Sequence, residues 1–317
     1  GGGSDLPAYY REFGGAVVST AINKYVYVNV NQKFDDGIRV GYSKNEEVES
    51  VSQIAHPIVR NVLEHLNIAG GVEITTIADI PSSGTGLGSS SSFTVGLLHA
   101  LNEFKGAAVS SQALASDACH IEIDLCGDPI GKQDQYAAAF GGFNFIEFNA
   151  DDSVKVSPII CNPSALLDLQ KSLLMVYTGK TRSASALLQE QGEQLQSDSR
   201  KKQTMHHMVS LAKHLKEELV ANRIDTLGEI LHEGWMLKKS LVSGISEGDI
   251  DRWYDAAMSA GALGGKILGA GAGGFLLFYA PQDRHGAILK ALNPLKAVPI
   301  AFDALGSQII FNEKIVK

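Results

Sequence analysis

The chain has 317 residues, 44% of them hydrophobic and 20% charged, which is enough to bury a sizeable core and more than one domain usually holds. Its net charge is -8 and its longest basic run is Arg200-Lys201-Lys202, so the clustered basic footprint that nucleic acid requires is missing. No apolar stretch approaches the roughly 18 residues of a membrane span, no charged-then-apolar leader opens the chain, and Cys119, Cys126 and Cys161 form no CxxC pair, which fits a reducing cytoplasm.

The sequence opens on "GGGSD" without Met, from which a native start farther upstream is expected. From Val17 to Asn31, "VVSTAINKYVYVNVN" alternates apolar and polar residues and reads as one strand with one buried face. "GIRVGY" (37–42) is expected to pair with it after the Asp35-Asp36-Gly37 turn. Ile54, Ile58, Val62 and Leu66 then recur at helical spacing, and Gly70-Gly71 is expected to end that helix. "VEITTI" (72–77) is the next strand. It leads into "IPSSGTGLGSSSSFTVGLLHAL" (80–101), where a glycine–serine loop gives way to a helix with Phe93, Leu97, Leu98, Leu101 and Phe104 on one face.

Ser110 or Ser111 is placed to cap a second helix, with Leu114, Ala118, Ile121 and Leu125 facing inward. "GFNFIEF" (142–148) and "VKVSPII" (154–160) read as strands. The texture changes near 162–171, which puts one domain at 1–165 and another at 166–317. The second begins with a strand, "LLMVYTG" (173–179), and continues with a charged, mostly helical region from 183 to 243. Ser246 and Asp249 have capping-box spacing for a helix reaching about Ser259. "GKILGAGAGGFLLFYA" (265–280) reads as strand, tight glycine turn, strand. A helix over roughly 283–292 and two short strands close the chain. Strands and helices are mixed without strict alternation, which predicts an α+β fold.

The histidines point nowhere: His232-Glu233 begins like HExxH but position 236 is Met, and His206-His207 lies in a polar helical stretch. The glycine–serine loop carries more. Backbone amides at a helix start lack intrahelical partners and attract anions. Gly84, Gly86 and Gly88 are spaced to let the main chain wrap closely round a phosphate, and Ser89 to Ser92 supply hydroxyls, one of which could ligate Mg²⁺ on those phosphates. No Lys follows, which excludes a Walker A loop, and Ser89 breaks the GxGxxG fingerprint. "GAGAGG" (269–274) does satisfy GxGxxG, but a strand follows it where a dinucleotide-binding turn needs a helix.

"PSSGTGLGSSSS" (81–92) resembles the signature of the GHMP kinases, named for galactokinase, homoserine kinase, mevalonate kinase and phosphomevalonate kinase. The resemblance implies a two-domain fold: an N-terminal nucleotide domain like domain 2 of ribosomal protein S5, and a C-terminal ferredoxin-like α/β sandwich. It implies ATP phosphates on Ser83, Gly84, Gly86, Leu87, Gly88, Ser89, Ser90 and Ser91. In "HIEIDLCGDPIGKQDQYAAAFGG" (120–142), Glu122 lies on a helix and Asp134 follows a turn, so two carboxylates can converge, as phosphoryl transfer needs. The resemblance makes Glu122 and Ser90 the Mg²⁺ ligands and Asp134 the base. It also sets Gly271 and Gly273 of the later glycine turn against the nucleotide, although a plain hairpin would look the same.

"GGGSDLPAYY" resembles the family's first motif, which implies sugar binding by Ser4 and Asp5. Asp5 also reads as a turn residue before Pro7. With "GKQDQYAAAFGGFNFI" and "YTGKTRSAS", the chain looks most like the family's heptose-phosphate kinases. Those enzymes phosphorylate the anomeric C1 hydroxyl of D-glycero-D-manno-heptose 7-phosphate, a small-molecule acceptor on the way to nucleotide-activated heptose. An anionic acceptor needs local cations, for which Lys180 and Arg182 are the first candidates and Lys132 and Lys266 weaker ones. Solvated residues starting a helix would look alike. A kinase of a neutral sugar such as L-fucose, a non-catalytic sugar sensor and an ATP-dependent decarboxylase of the same fold are the alternatives.

Overall fold

The computed structural model describes residues 2–81, 84–180, 184–246 and 248–313. In chain order the first half contains β1 (Gly2–Ser4), α1 (Pro7–Phe13), β2 (Gly15–Ile22), β3 (Val26–Gln32), β4 (Ile38–Gly41), β5 (Asn45–Val48), α2 (Pro57–His65), β6 (Val72–Ala78), α3 (Ser89–Phe104), α4 (Ser111–Cys119), α5 (Gln133–Phe140), β7 (Phe143–Phe148) and β8 (Val154–Pro158). The second half contains α6 (Pro163–Ser172), β9 (Leu173–Tyr177), α7 (Ala184–Ser197), α8 (Ser199–Val220), α9 (Leu227–Leu241), α10 (Gly248–Ser259), β10 (Gly264–Ile267), β11 (Phe275–Tyr279), α11 (His285–Ala291), β12 (Lys296–Ala297) and β13 (Phe302–Asp303). Helices and largely antiparallel strands are mixed, as α+β predicts. Among the described residues no helix is long and apolar enough to cross a membrane.

Three sheets organise these elements. One runs β1-β2-β7-β8, with β13 added to β2; the second runs β3-β6-β4-β5; the third, in the C-terminal half, runs β10-β11-β9-β12. Successive side chains on a strand face opposite ways, so the first sheet can serve two cores. Ala16, Val18 and Phe145 join one core with Trp235, Phe278 and Leu276 of the C-terminal half. Val17, Ile146 and Phe148 join the other with α2, α3 and α4. The sheet is thus a shared wall, and α8 packs across β1 and β2.

Five local expectations need correction. The 17–31 strand is two strands in different sheets. The main chain turns at Asn23, whose N–H donates to Ala301 O at 2.9 Å and whose Oδ1 accepts from the Ala301 N–H at 2.7 Å. Sequence alternation cannot show a clamp from 278 residues away. Second, β4 does not pair with β3. The fully buried Val72 and Ile74 place β6 inside the sheet, with β3 antiparallel on one side and β4 parallel on the other. Third, α2 ends before the glycines. Asn67 takes φ +54°, and Ile68 N–H reaches back to Leu63 O at 2.9 Å, the wrapped ending in which Asn substitutes for Gly. Fourth, Ser246 donates to Asp251 at 2.7 Å, and Asp249 pairs with Lys180 and Arg252, so no capping box forms.

Leu125, expected inward, is 47% exposed. The cause is a π-turn over His120–Leu125, which continues α4 with a wider repeat, marked by Cys126 N–H donating to Ile121 O. Two local expectations hold: Ser110 caps α4 by accepting from Ala113 N–H at 3.2 Å, and β10 and β11 form the hairpin around the second glycine cluster.

Candidate active site

A continuous cleft of about 2060 Å³ runs between the halves, lined by the glycine–serine loop, Asp5, Asp134 and the turn after β10. Gly84, Gly86 and Gly88 bend the loop with φ of +68°, +74° and +70°. Gly88 is the N-cap of α3, and a Cβ there would stand 3.1 Å from the Asp134 carboxyl carbon. A larger residue would push Asp134 away. Four serines follow, yet among the described residues no side chain caps α3. Ser90 and Ser91 donate instead to Glu122, each at 2.8 Å. The buried Ser89 hydroxyl finds no partner among the described residues. The first-turn amides are therefore left to an anion in the cleft.

The π-turn places Glu122 beneath this helix start. Its carboxylate is fully buried and accepts a third hydrogen bond, from Gln135 Nε2 at 2.6 Å. Burial pushes its proton affinity up, and the Ser91, Ser90 and Gln135 donors oppose that rise. Asp134, in the first turn of α5, is only partly buried and accepts from Gln133 Nε2 at 2.9 Å. Asp5 joins it from the β1–α1 turn and accepts from Gln133 N–H at 2.8 Å. Burial raises Asp5 above the usual carboxylate range; the Gln133 amide pulls it down, and the nearby Asp134 charge adds to the rise. Ser4 is buried, and its hydroxyl accepts from Leu6 N–H at 3.2 Å.

The second glycine cluster meets the first through main chain. A Cβ on Gly86 would lie 2.4 Å from Leu268 O, and one on Gly269 would lie 2.4 Å from Gly86 Cα. Gly271 and Gly273 both line the cleft. The cations are distributed differently from expectation. Lys180 does not line the cleft; its ammonium lies 2.5 Å from Asp249 Oδ2 and 5.8 Å from the Trp253 ring centre. Lys132 donates to Asp152 O at 2.8 Å. Arg182 and Ser83 lie outside the described residues. The lysines lining the cleft beside the carboxylates are Lys266, on β10, and Lys238, on α9. Lys238 donates to Gly269 O.

Two groups escaped the sequence reading. Lys238 sits in an amphipathic helix among ordinary surface lysines, and only its tertiary neighbours single it out. Burial first and Lys266 second push its proton affinity down to about 7, against the pull of Asp5 and Asp134. The other group is an aromatic shelf. His56 stands edge-on to Tyr42 with ring centres 4.8 Å apart and tilts against Phe93, the residue after the four serines, at 5.4 Å, and all three line the cleft. These three come from a strand end, a helix start and α3, with no motif linking them.

Two family models match the chain: the GHMP kinases N-terminal domain over residues 53–142 and the GHMP kinases C-terminal domain over residues 215–297. A D-glycero-alpha-D-manno-heptose 7-phosphate kinase of Campylobacter jejuni is 30% identical over 92% of this chain and 89% of its own. A bifunctional fucokinase/GDP-fucose pyrophosphorylase of Arabidopsis thaliana is 27% identical over 92% of this chain but only 30% of its own. The crystal structure of a D-glycero-D-manno-heptose 1-phosphate kinase from Bacteroides thetaiotaomicron superposes with a TM-score of 0.78, at 28% identity, covering 96% of this chain and 93% of that one. The helix start over a sealed glutamate, the two matching domain models and the likeness to the Campylobacter jejuni enzyme converge: the chain belongs to the GHMP kinase family.

Proposed function

We propose that this chain transfers the γ-phosphoryl group of ATP to the anomeric C1 hydroxyl of D-glycero-D-manno-heptose 7-phosphate, giving ADP and the 1,7-bisphosphate. The observation that carries this reading is the juxtaposition of an uncapped helix start, a buried Glu122 and an accessible Asp134 in one cleft. The 30% and 28% likenesses to heptose-phosphate kinases support the choice of acceptor.

The ATP phosphates rest on the main chain of 84–91, where glycine leaves no Cβ in the way and the α3 amides face the charge. The adenine lies on the Tyr42–His56–Phe93 shelf. Glu122 and Ser90 offer a carboxylate and a hydroxyl 2.8 Å apart, the hard oxygen donors that suit Mg²⁺. When bound there, Mg²⁺ would neutralise charge on the phosphate oxygens. Asp5, held by the Gln133 amide, fixes sugar hydroxyls, and Asp134 orients the C1 hydroxyl. As the new P–O bond forms and the bond to ADP breaks, Asp134 accepts the hydroxyl proton. Free thiols at Cys119, Cys126 and Cys161 support a cytoplasmic setting for this reaction.

The test is ADP release from ATP with a panel of acceptors: D-glycero-D-manno-heptose 7-phosphate, the unphosphorylated heptose, L-fucose and a β-hydroxy acid. The heptose phosphate should give the highest kcat/KM. Preference for L-fucose would replace the reading with the neutral-sugar kinase that the fucokinase likeness favours. CO₂ release from the hydroxy acid would replace it with a decarboxylase, and no turnover at all would leave a sensor.

A further inference from the structure

A small side cavity of about 50 Å³ opens beside the acceptor end of the cleft and shares Gly3, Lys238 and Lys266 with it. That exceeds the roughly 30 Å³ share of one water. Its polar side chains are all donors: the two ammonium groups and the indole of Trp235. Trp235 is 1% exposed, and its N–H finds no acceptor among the described residues. The rest of the lining is apolar, and no carboxylate belongs to it. The buried, unmet indole N–H costs free energy unless an acceptor reaches it, and the two ammonium groups lining the same cavity suit an acceptor that is anionic.

Resting on the sugar-phosphate reading above, we infer that Lys238, Lys266 and Trp235 form the seat for the acceptor's own phosphate monoester. Asp5 and Asp134 line the neighbouring stretch of cleft, so the sugar lies between its existing phosphate and the hydroxyl to be phosphorylated. The depressed proton affinities of both lysines fit: Lys266 is pushed down to about 8 by burial, and Lys238 to about 7. A bound dianion would favour the charged form of both. The seat also explains how a chain with net charge -8 takes a sugar phosphate without Lys180, which Asp249 occupies.

The experiment is titration calorimetry of wild type, Lys238→Met, Lys266→Met, Trp235→Phe and Lys180→Met. The ligands are D-glycero-D-manno-heptose 7-phosphate, the unphosphorylated heptose, mannose 6-phosphate and mannose, with thermal melts to confirm folding. Lys238→Met and Lys266→Met should each weaken the phosphorylated sugars about 10- to 100-fold, the span of a charge-assisted hydrogen bond. Binding of the unphosphorylated partners should change less than about 2-fold, and Trp235→Phe should show a smaller loss of the same selectivity. Equal losses for phosphorylated and neutral sugars would overturn the seat, as would a phosphate-specific loss confined to Lys180→Met. Wild type binding both kinds of sugar alike would overturn it too. Should a Met variant fail to fold, Lys238→Arg and Lys266→Arg decide: both keep charge and must keep phosphate selectivity. The two readings fail separately. Lysine-dependent selectivity for mannose 6-phosphate over mannose, with no ADP release from heptose 7-phosphate, would sink the heptose reading and leave the seat standing.

Discussion

Glu122 and Asp134 lie twelve residues apart on the two sides of one turn, and their surroundings could hardly differ more. Glu122 is sealed and accepts from Ser90, Ser91 and Gln135. Asp134 lies in the open cleft, backed by Gly88 and held by one neighbouring amide. The contrast separates two tasks that carboxylates share in phosphoryl transfer. A fixed, fully bonded carboxylate cannot move to meet a hydroxyl, but it can lend an oxygen to a cation with little reorganisation. A partly open one can meet the acceptor and take its proton.

The largest effect that would break this division is at Asp134. Asp134→Asn should cut kcat about 10²- to 10⁴-fold with the ATP Kd within a few-fold of wild type, by single-turnover kinetics and nucleotide titration. A variant that lost ATP binding instead would make Asp134 part of the phosphate seat. Ser91→Ala should come next. It removes a donor behind Glu122 without touching Ser90, and such supporting partners typically cost about 10- to 100-fold in metal affinity or activity. The Mg²⁺ concentration for half-maximal rate should rise, and saturating Mg²⁺ should recover most of the rate. Loss of rate with an unchanged Mg²⁺ requirement would separate Glu122 from the metal.

The smallest effect sharpens the contrast through pH. Lys238 titrates near 7 in the folded chain and near the ordinary lysine value, about 10.4, when unfolded. Between those values the unfolded chain binds more protons, so wild-type stability gains with rising pH. Lys266, Asp5 and Asp134 are the charged groups that face Lys238. Relative to wild type, Lys238→Met should therefore melt highest near pH 6. The gap should narrow by a few degrees as pH rises from 7 to 10 in scanning calorimetry. A gap that widens over that range would mean the ammonium stabilises the fold.

Much of this site could be read before the fold was known, because its parts carry local chemistry. A Gly-rich run before an apolar helix announces an anion loop, and Glu122, Asp134 and Asp5 stand beside turn residues that bring them to it. What stayed hidden depends on distant chain. The break at Asn23 is set by Ala301, and the π-turn that turns Leu125 outward obeys no composition rule. Lys180 looked like a phosphate clamp because Asp249, which holds it, is 69 residues away. Lys238 looked like one more helix lysine because Lys266, Asp5 and Asp134 come from three other segments.

The close approach of Gly86 to Gly269 has a mechanical consequence. Where bare backbone abuts bare backbone, no rotamer can swing aside to let the parts slide past each other. A side chain added at either glycine would therefore wedge the glycine–serine loop away from the C-terminal hairpin, so Gly86→Ala and Gly269→Ala should each widen the same seam.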